Sequence, residues 1–144
     1  MSKEKKVGFI LESNTRIAKL SFIKAFKKLN VDVTPEQWVI LDNLSHTDGL
    51  TQTELANRSF KNTPTISRII DVLAKKEFLI RKADIIDRRK QKVFLTNKGK
   101  EVVECCKEEI STLRQISWAG LTDEDYEEFL RITSKIFENF QRYD

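Results

Sequence analysis

The chain is poor in the residues that carry most enzyme and metal chemistry: it has a single histidine, His46, and two cysteines in 144 residues. No Cys/His set has metal-ligand spacing, so no metal and no cofactor is expected. A lone histidine without a paired nucleophile or base argues against an enzyme. The cysteines, Cys105 and Cys106, are adjacent, and neighbouring residues rarely bridge each other. Helix packing is the better reading of Cys106. Four glycines and two prolines exclude collagen-like, linker-rich and all-β architectures. No stretch approaches the roughly 18 apolar residues that span a bilayer. The basic start is followed by an apolar run too short, before Glu12, for the apolar core of about 7–15 residues in a secretory signal. The expected location is the cytoplasm.

What is there is an ordinary soluble composition, 40% hydrophobic and 33% charged, long enough for one domain with helical extensions. The net charge of +4 is unevenly spread. Residues 61–98 hold eleven Lys/Arg against four Asp/Glu, a net of +7, whereas residues 101–144 hold five against eleven, a net of −6. A concentrated basic segment points to a polyanionic partner. Membrane lipid is a poorer fit, because no basic amphipathic helix with a Trp/Phe face accompanies it.

Helical spacing runs from Val7 to Leu29 through Phe9, Ile10, Ile17, Leu20, Ile23 and Phe26. Thr34-Pro35-Glu36-Gln37 reads as a helix start with a capping box, and that helix stops near His46-Thr47-Asp48-Gly49. Thr51-Gln52-Thr53-Glu54 is a second capping box, opening a short helix with Leu55 and Ala56. After a break at Phe60–Asn62, Thr63-Pro64 starts a third helix with Ile66, Ile69, Ile70 and Leu73 on its core side. The period then falls from 3.6 to 2: Phe78–Arg81 and Val93–Leu95 read as two short strands. A loop containing Asp87-Arg88-Arg89-Lys90 joins them. A long helix begins at Thr96–Gly99. A last one begins at Thr122, with three acids at its positive end.

This order predicts a mainly α fold with a small β-hairpin. It is a winged helix-turn-helix over residues 34–96, flanked by helices at 7–30 and 97–142 that serve dimerisation. One helix of such a module enters the major groove while the hairpin reaches along the backbone. In the third helix Thr63, Thr65, Ser67 and Arg68 stay polar; short hydroxyls permit close approach to base edges, and Arg68 can reach a guanine. Thr51 and Gln52 place helix-start amides against phosphate.

Leu50–Ala56, Thr65–Leu73, the Asp87-Arg88-Arg89 loop and Val93–Gly99 occur in this order, and the set resembles the MarR family of bacterial transcriptional regulators across nearly the whole chain. The resemblance implies that Arg89 meets the minor groove, that Asp87 orients it, and that Arg88 and Lys90 add phosphate contacts. Two positions depart from the family pattern. Glu77 stands where glycine usually follows the recognition helix, and Ile85-Ile86 stand where proline is common.

The last helix carries Phe129, Leu130, Ile136, Phe137 and Phe140, more apolar surface than a small neighbouring domain covers. A homodimer through this helix and Ile17 of the first is therefore expected, acting on a palindromic double-stranded operator with half-sites roughly 10 base pairs apart. The resemblance further implies a repressor relieved by a small, often aromatic, effector. Trp38, His46, Phe22 and Phe26 lie near the junction concerned, but each reads better as core, so no effector residue is assigned. The other function left open is a winged-helix module whose basic hairpin meets an acidic protein.

Overall fold

A computed structural model describes residues 5–143. The elements run α1 (Val7–Lys28), α2 (Pro35–His46), β1 (Leu50–Thr51), α3 (Gln52–Ser59), α4 (Thr63–Lys75), β2 (Leu79–Ala83), β3 (Gln91–Leu95), α5 (Asn97–Ser117) and α6 (Asp123–Gln141). The architecture is the mainly helical winged helix that the sequence predicts. The described residues fall into two compact units that divide between Ser111 and Thr112.

In the first unit both capping boxes close. Thr34 Oγ1 accepts from the Gln37 amide and Gln37 Oε1 accepts from the Thr34 amide, each at 3.2 Å. Thr51 and Glu54 repeat the exchange at the start of α3. The third helix starts at Thr63 as expected, and Asn62, which the sequence reading did not single out, caps it, its Oδ1 accepting from the Thr65 amide at 2.9 Å. Two cap-competent residues stand side by side there, and the backbone at Asn62 is the extended one.

The core of this unit is built by Ile40, Leu41 and Leu44 of α2, Leu55 of α3, Ile66, Ile70 and Leu73 of α4, and Leu79 and Val93 of the sheet. Ile69, expected with them, is only half-buried, because the buried stripe follows 66, 70 and 73. Cys106 packs in fully buried. Burial, with Cys105 beside it, pushes its thiol up to about 11, so it stays protonated. The strands also differ from the sequence reading. They cover Leu79–Ala83 and Gln91–Leu95, shifted toward the loop, and Phe78 lies outside. A third strand, β1, was not expected; it pairs antiparallel with β3, giving the order β1-β3-β2.

The exit from α4 bears on the departure at Glu77. Glu77 takes the left-handed conformation, φ 65°. The Phe78 amide donates to the Leu73 carbonyl and the Glu77 amide to that of Ala74, both at 3.0 Å, completing a Schellman turn. The chain thus keeps the turn without the glycine. A left-handed non-glycine residue costs on the order of 1 kcal/mol, and the 3.7 Å pair between Glu77 and Lys98 is exposed and offsets little. Glu77→Gly is therefore expected to stabilise the fold by about 0.5–1 kcal/mol, read as a higher thermal midpoint; an unchanged or lower midpoint would contradict the assigned strain.

In the second unit the end of α5 turns through Gly120, φ 82°, into α6. Thr122 and Asp125 form a third capping box, and Trp118 lies edge-on to Tyr126 at 5.5 Å between ring centroids. Among its described residues α6 has none buried. Phe129, Phe137 and Phe140 are exposed and Ile136 is half-buried. In α1, Phe9, Ile10, Ile17 and Leu20 are exposed as well.

Candidate nucleic-acid interface

The exposed stripe of α4 is set by helical spacing. Pro64, Arg68, Val72 and Lys75 stand outward, with Thr63 at the start. Of the four residues expected to read bases, Thr63 and Arg68 are exposed, while Thr65 and Ser67 are half-buried. Arg68 Nη2 lies 3.5 Å from Thr65 Oγ1, a long contact that leaves the guanidinium at the surface. Pro64 and Val72 were not singled out by the sequence reading, although the spacing of four from Arg68 in each direction would have found them.

The wing begins after the last strand pair, Ala83 with Gln91. Asp87 Oδ1 accepts from the Arg89 amide at 3.1 Å and from Arg89 Nε at 3.3 Å. One carboxylate oxygen thus fixes both the backbone and the side chain of Arg89, which remains 93% exposed. Arg88 and Lys90 are exposed beside it. Thr51, Gln52, Thr63, Arg89 and Lys90 come together: with Thr53, Glu54 and Gln91 they line one surface cleft of about 570 Å³. The start of α3, the start of α4 and the wing therefore share one concave surface. Its one carboxylate, Glu54, is engaged with the Thr51 amide.

Arg81 was not expected to matter, yet it joins these parts. From β2 its Nε donates to Gln52 Oε1 at 3.1 Å, and its Nη2 donates to the Ser67 carbonyl at 3.3 Å and to Asp71 Oδ1 at 2.6 Å. The wing strand is thereby tied to α3 and to the middle of α4, and Gln52 keeps both amide donors for another partner. The available signal was alternation: two residues beyond buried Leu79, position 81 falls on the inward face. The contact with Asp71 is partly buried on the arginine side, where a charge-assisted bond is stronger than at a bare surface.

The residues considered for an effector separate. Phe26 and Trp38 are buried and lie 5.8 Å apart between ring centroids, and Phe22 is half-buried. His46 is not core: it is exposed at the end of α2, its Nδ1 2.8 Å from the Asp42 carbonyl. The sequence reading ended this helix near His46, and a residue in the terminal turn of a helix faces solvent rather than the core. The Trp38 indole N–H is buried with no hydrogen-bond acceptor. Among the described residues no His/Cys/Asp/Glu group could hold a metal ion, and no helix is long and apolar enough to cross a membrane.

Comparison with known proteins gives consistent findings. The sequence profile of the MarR family matches residues 33–90. The uncharacterized HTH-type transcriptional regulator YybA of Bacillus subtilis is 23% identical over 138 residues, 96% of this chain and 88% of YybA. The structure of the Staphylococcus aureus MepR–DNA complex superposes with a TM-score of 0.83 at 24% identity, covering 94% of this chain and 99% of that one. BpsR of Bordetella bronchiseptica, whose DNA binding is regulated by 6-hydroxynicotinic acid, matches with a TM-score of 0.76 at 22% identity, covering 92% and 98%.

Proposed function

We propose that this chain, whose residues 33–90 match the sequence profile of the MarR family, is a DNA-binding transcriptional regulator of that family and acts in the cytoplasm as a homodimeric repressor on a palindromic operator. In this reading α4 lies in the major groove, with Arg68 and Thr63 at base edges and Thr65 and Ser67 lining the approach. The wing reaches the minor groove through Arg89. Thr51, Gln52, Arg88 and Lys90 take phosphates. The observation that carries it is the shared cleft, lined by the start of α3, the start of α4 and the cationic wing. A duplex backbone has the charge and the length to meet all three.

Selection of random duplexes by the purified protein tests the whole reading, with a two-fold symmetric site as the expected product. Two substitutions then separate the contacts. Arg89→Ala is expected to weaken all duplexes by a similar factor and to flatten the dependence of affinity on salt by about one counterion. Arg68→Ala is expected to lose discrimination at particular base pairs, about 1–3 kcal/mol each, with the salt slope nearly kept. An Arg89→Ala protein that binds as the parent does at every salt concentration would remove the wing from the interface.

Relief of repression by a small aromatic molecule completes the proposal. Its support is the regulation of BpsR by 6-hydroxynicotinic acid and the buried Trp38 N–H without an acceptor, a donor that ordinarily finds a partner. Hydroxylated aromatic acids are the class to screen for release of bound duplex; if none releases it, this part of the reading fails.

A further inference from the structure

Two side chains of the wing tip take no part in the core. Ile85 and Ile86 are each 95% exposed, an adjacent apolar pair standing in water at the outermost loop of a basic surface. The loop that carries them is tied rather than slack. The Asp84 amide donates to the Lys90 carbonyl and the Lys90 amide to that of Asp87, both at 2.9 Å. Asp84 Oδ1 accepts from the Ile86 amide at 3.3 Å, and Asp87 holds Arg89. Both acids of the loop thus serve its own backbone, with Lys92 Nζ also 4.0 Å from Asp84. Lys82, Arg88, Arg89 and Lys90, all exposed, flank the apolar pair along the chain.

We propose that Ile85 and Ile86 form an apolar wedge that enters the minor groove of duplex DNA and unstacks a base step, with Arg89 supplying charge beside it. The inference rests on the DNA-binding reading above and adds to it how the wing grips. The cationic frame selects the occupant, since a polyanion is drawn to it before the isoleucines make contact. Branched aliphatic side chains are among those that open base steps from the minor groove and bend the duplex toward the major groove. Unstacking costs least at TA and CA/TG steps, so the wedge selects sequence without a hydrogen bond to any base. A wing acting through arginine alone would favour the stiff, narrow groove of an A-tract instead.

The two mechanisms predict opposite preferences, and the full chain can be tested on two defined duplexes. One alternates adenine and thymine; the other is an uninterrupted A-tract; each carries 2-aminopurine in place of one adenine. At low salt, sequence-independent binding holds the protein on either. The expected result is about tenfold tighter binding to the alternating duplex, the effect of roughly one buried aliphatic side chain, with a rise in 2-aminopurine fluorescence. Ile85→Ser/Ile86→Ser is expected to lose both the preference and the rise while keeping the salt slope, because no charge changes. Both side chains lie outside the core, so the variant folds as the parent does, and Ile85→Leu/Ile86→Leu should retain both signals. Tighter binding to the A-tract without a fluorescence change overturns the wedge and leaves DNA binding standing. A double serine variant that keeps the preference and the rise also overturns it. Absence of binding to either duplex overturns both readings. If the parent binds phosphatidylglycerol vesicles and the serine variant loses only that binding, the tip belongs to a lipid surface and the wedge is wrong.

Discussion

Gly99→Ala is expected to destabilise the protein by about 2–4 kcal/mol and to lower its thermal midpoint by on the order of 10 °C. Gly99 is buried in the first turn of α5. A Cβ built there would lie 1.9 Å from the Phe78 carbonyl oxygen and 2.9 Å from its carbon. Those are backbone atoms, and they cannot rotate away as the end of a side chain can. The same junction is bonded from three sides. The Thr96 amide donates to the Phe78 carbonyl at 3.1 Å, Thr96 Oγ1 donates to the Glu77 carbonyl at 2.6 Å, and the Gly99 amide donates to Thr96 Oγ1 at 3.0 Å. Moving α5 away from Phe78 therefore strains the Schellman turn after α4 and the base of the wing together. Gly8→Ala is the control, since nothing lies within 4 Å of a Cβ there; alanine is the better helix former, so the midpoint should hold or rise slightly. A Gly99→Ala protein melting within a degree of the parent would show that the close approach is not obligatory.

That junction also shows what the sequence discloses and what it withholds. The glycine was visible as the end of the Val93–Gly99 stretch that carries the family resemblance, but the reason for it is a close approach to Phe78, which no local rule supplies. The features read correctly from the residues are those made within four residues: the boxes at Thr34/Gln37 and Thr51/Glu54 and the acids opening α6; the exchange between Asp87 and Arg89 was implied by the family resemblance. Strand β1 escaped because two residues show no periodicity; it exists by pairing Leu50 with Val93. Arg81 escaped because its three acceptors come from two other elements. Ile69 was placed inward because a helix carrying four isoleucines and leucines in eight residues looks broadly apolar, yet the sheet and α2 cover only a narrow stripe. At Glu77 the residue type argued against the left-handed turn, and the hydrogen bonds of the Schellman turn outweighed it. Within the interface, the charged wing was legible as a loop of one dominant sign. Its convergence with α3 and α4 on one cleft required the fold.

Phe140→Glu is expected to convert the proposed dimer to monomers and to cut affinity for a two-half-site operator by about 10²–10⁴-fold. The argument begins with exposure. None of the described residues of α6 is buried, and Phe140 is 65% exposed. The apolar residues of α1 are exposed in the same way. Covering such stripes with a second copy of the chain removes apolar area from water at about 25 cal/mol per Å². In a two-fold interface every contact occurs twice, so one substitution places two carboxylates in the apolar seam, where an unpaired charge is not tolerated. The loss of operator binding follows from linkage, not from any change in the wing: with two modules joined, the second half-site is met at high effective concentration, and a monomer forfeits that gain. The substitution lies outside the unit that carries the winged module, so helix content and affinity for an isolated half-site should stay at parental values. Sedimentation reads the assembly, and duplexes with one or two half-sites read the consequence. A variant that remains dimeric would remove Phe140 from the interface. A monomer that still held the full operator as tightly as the parent would show that one winged module suffices, and the palindromic operator would go with it.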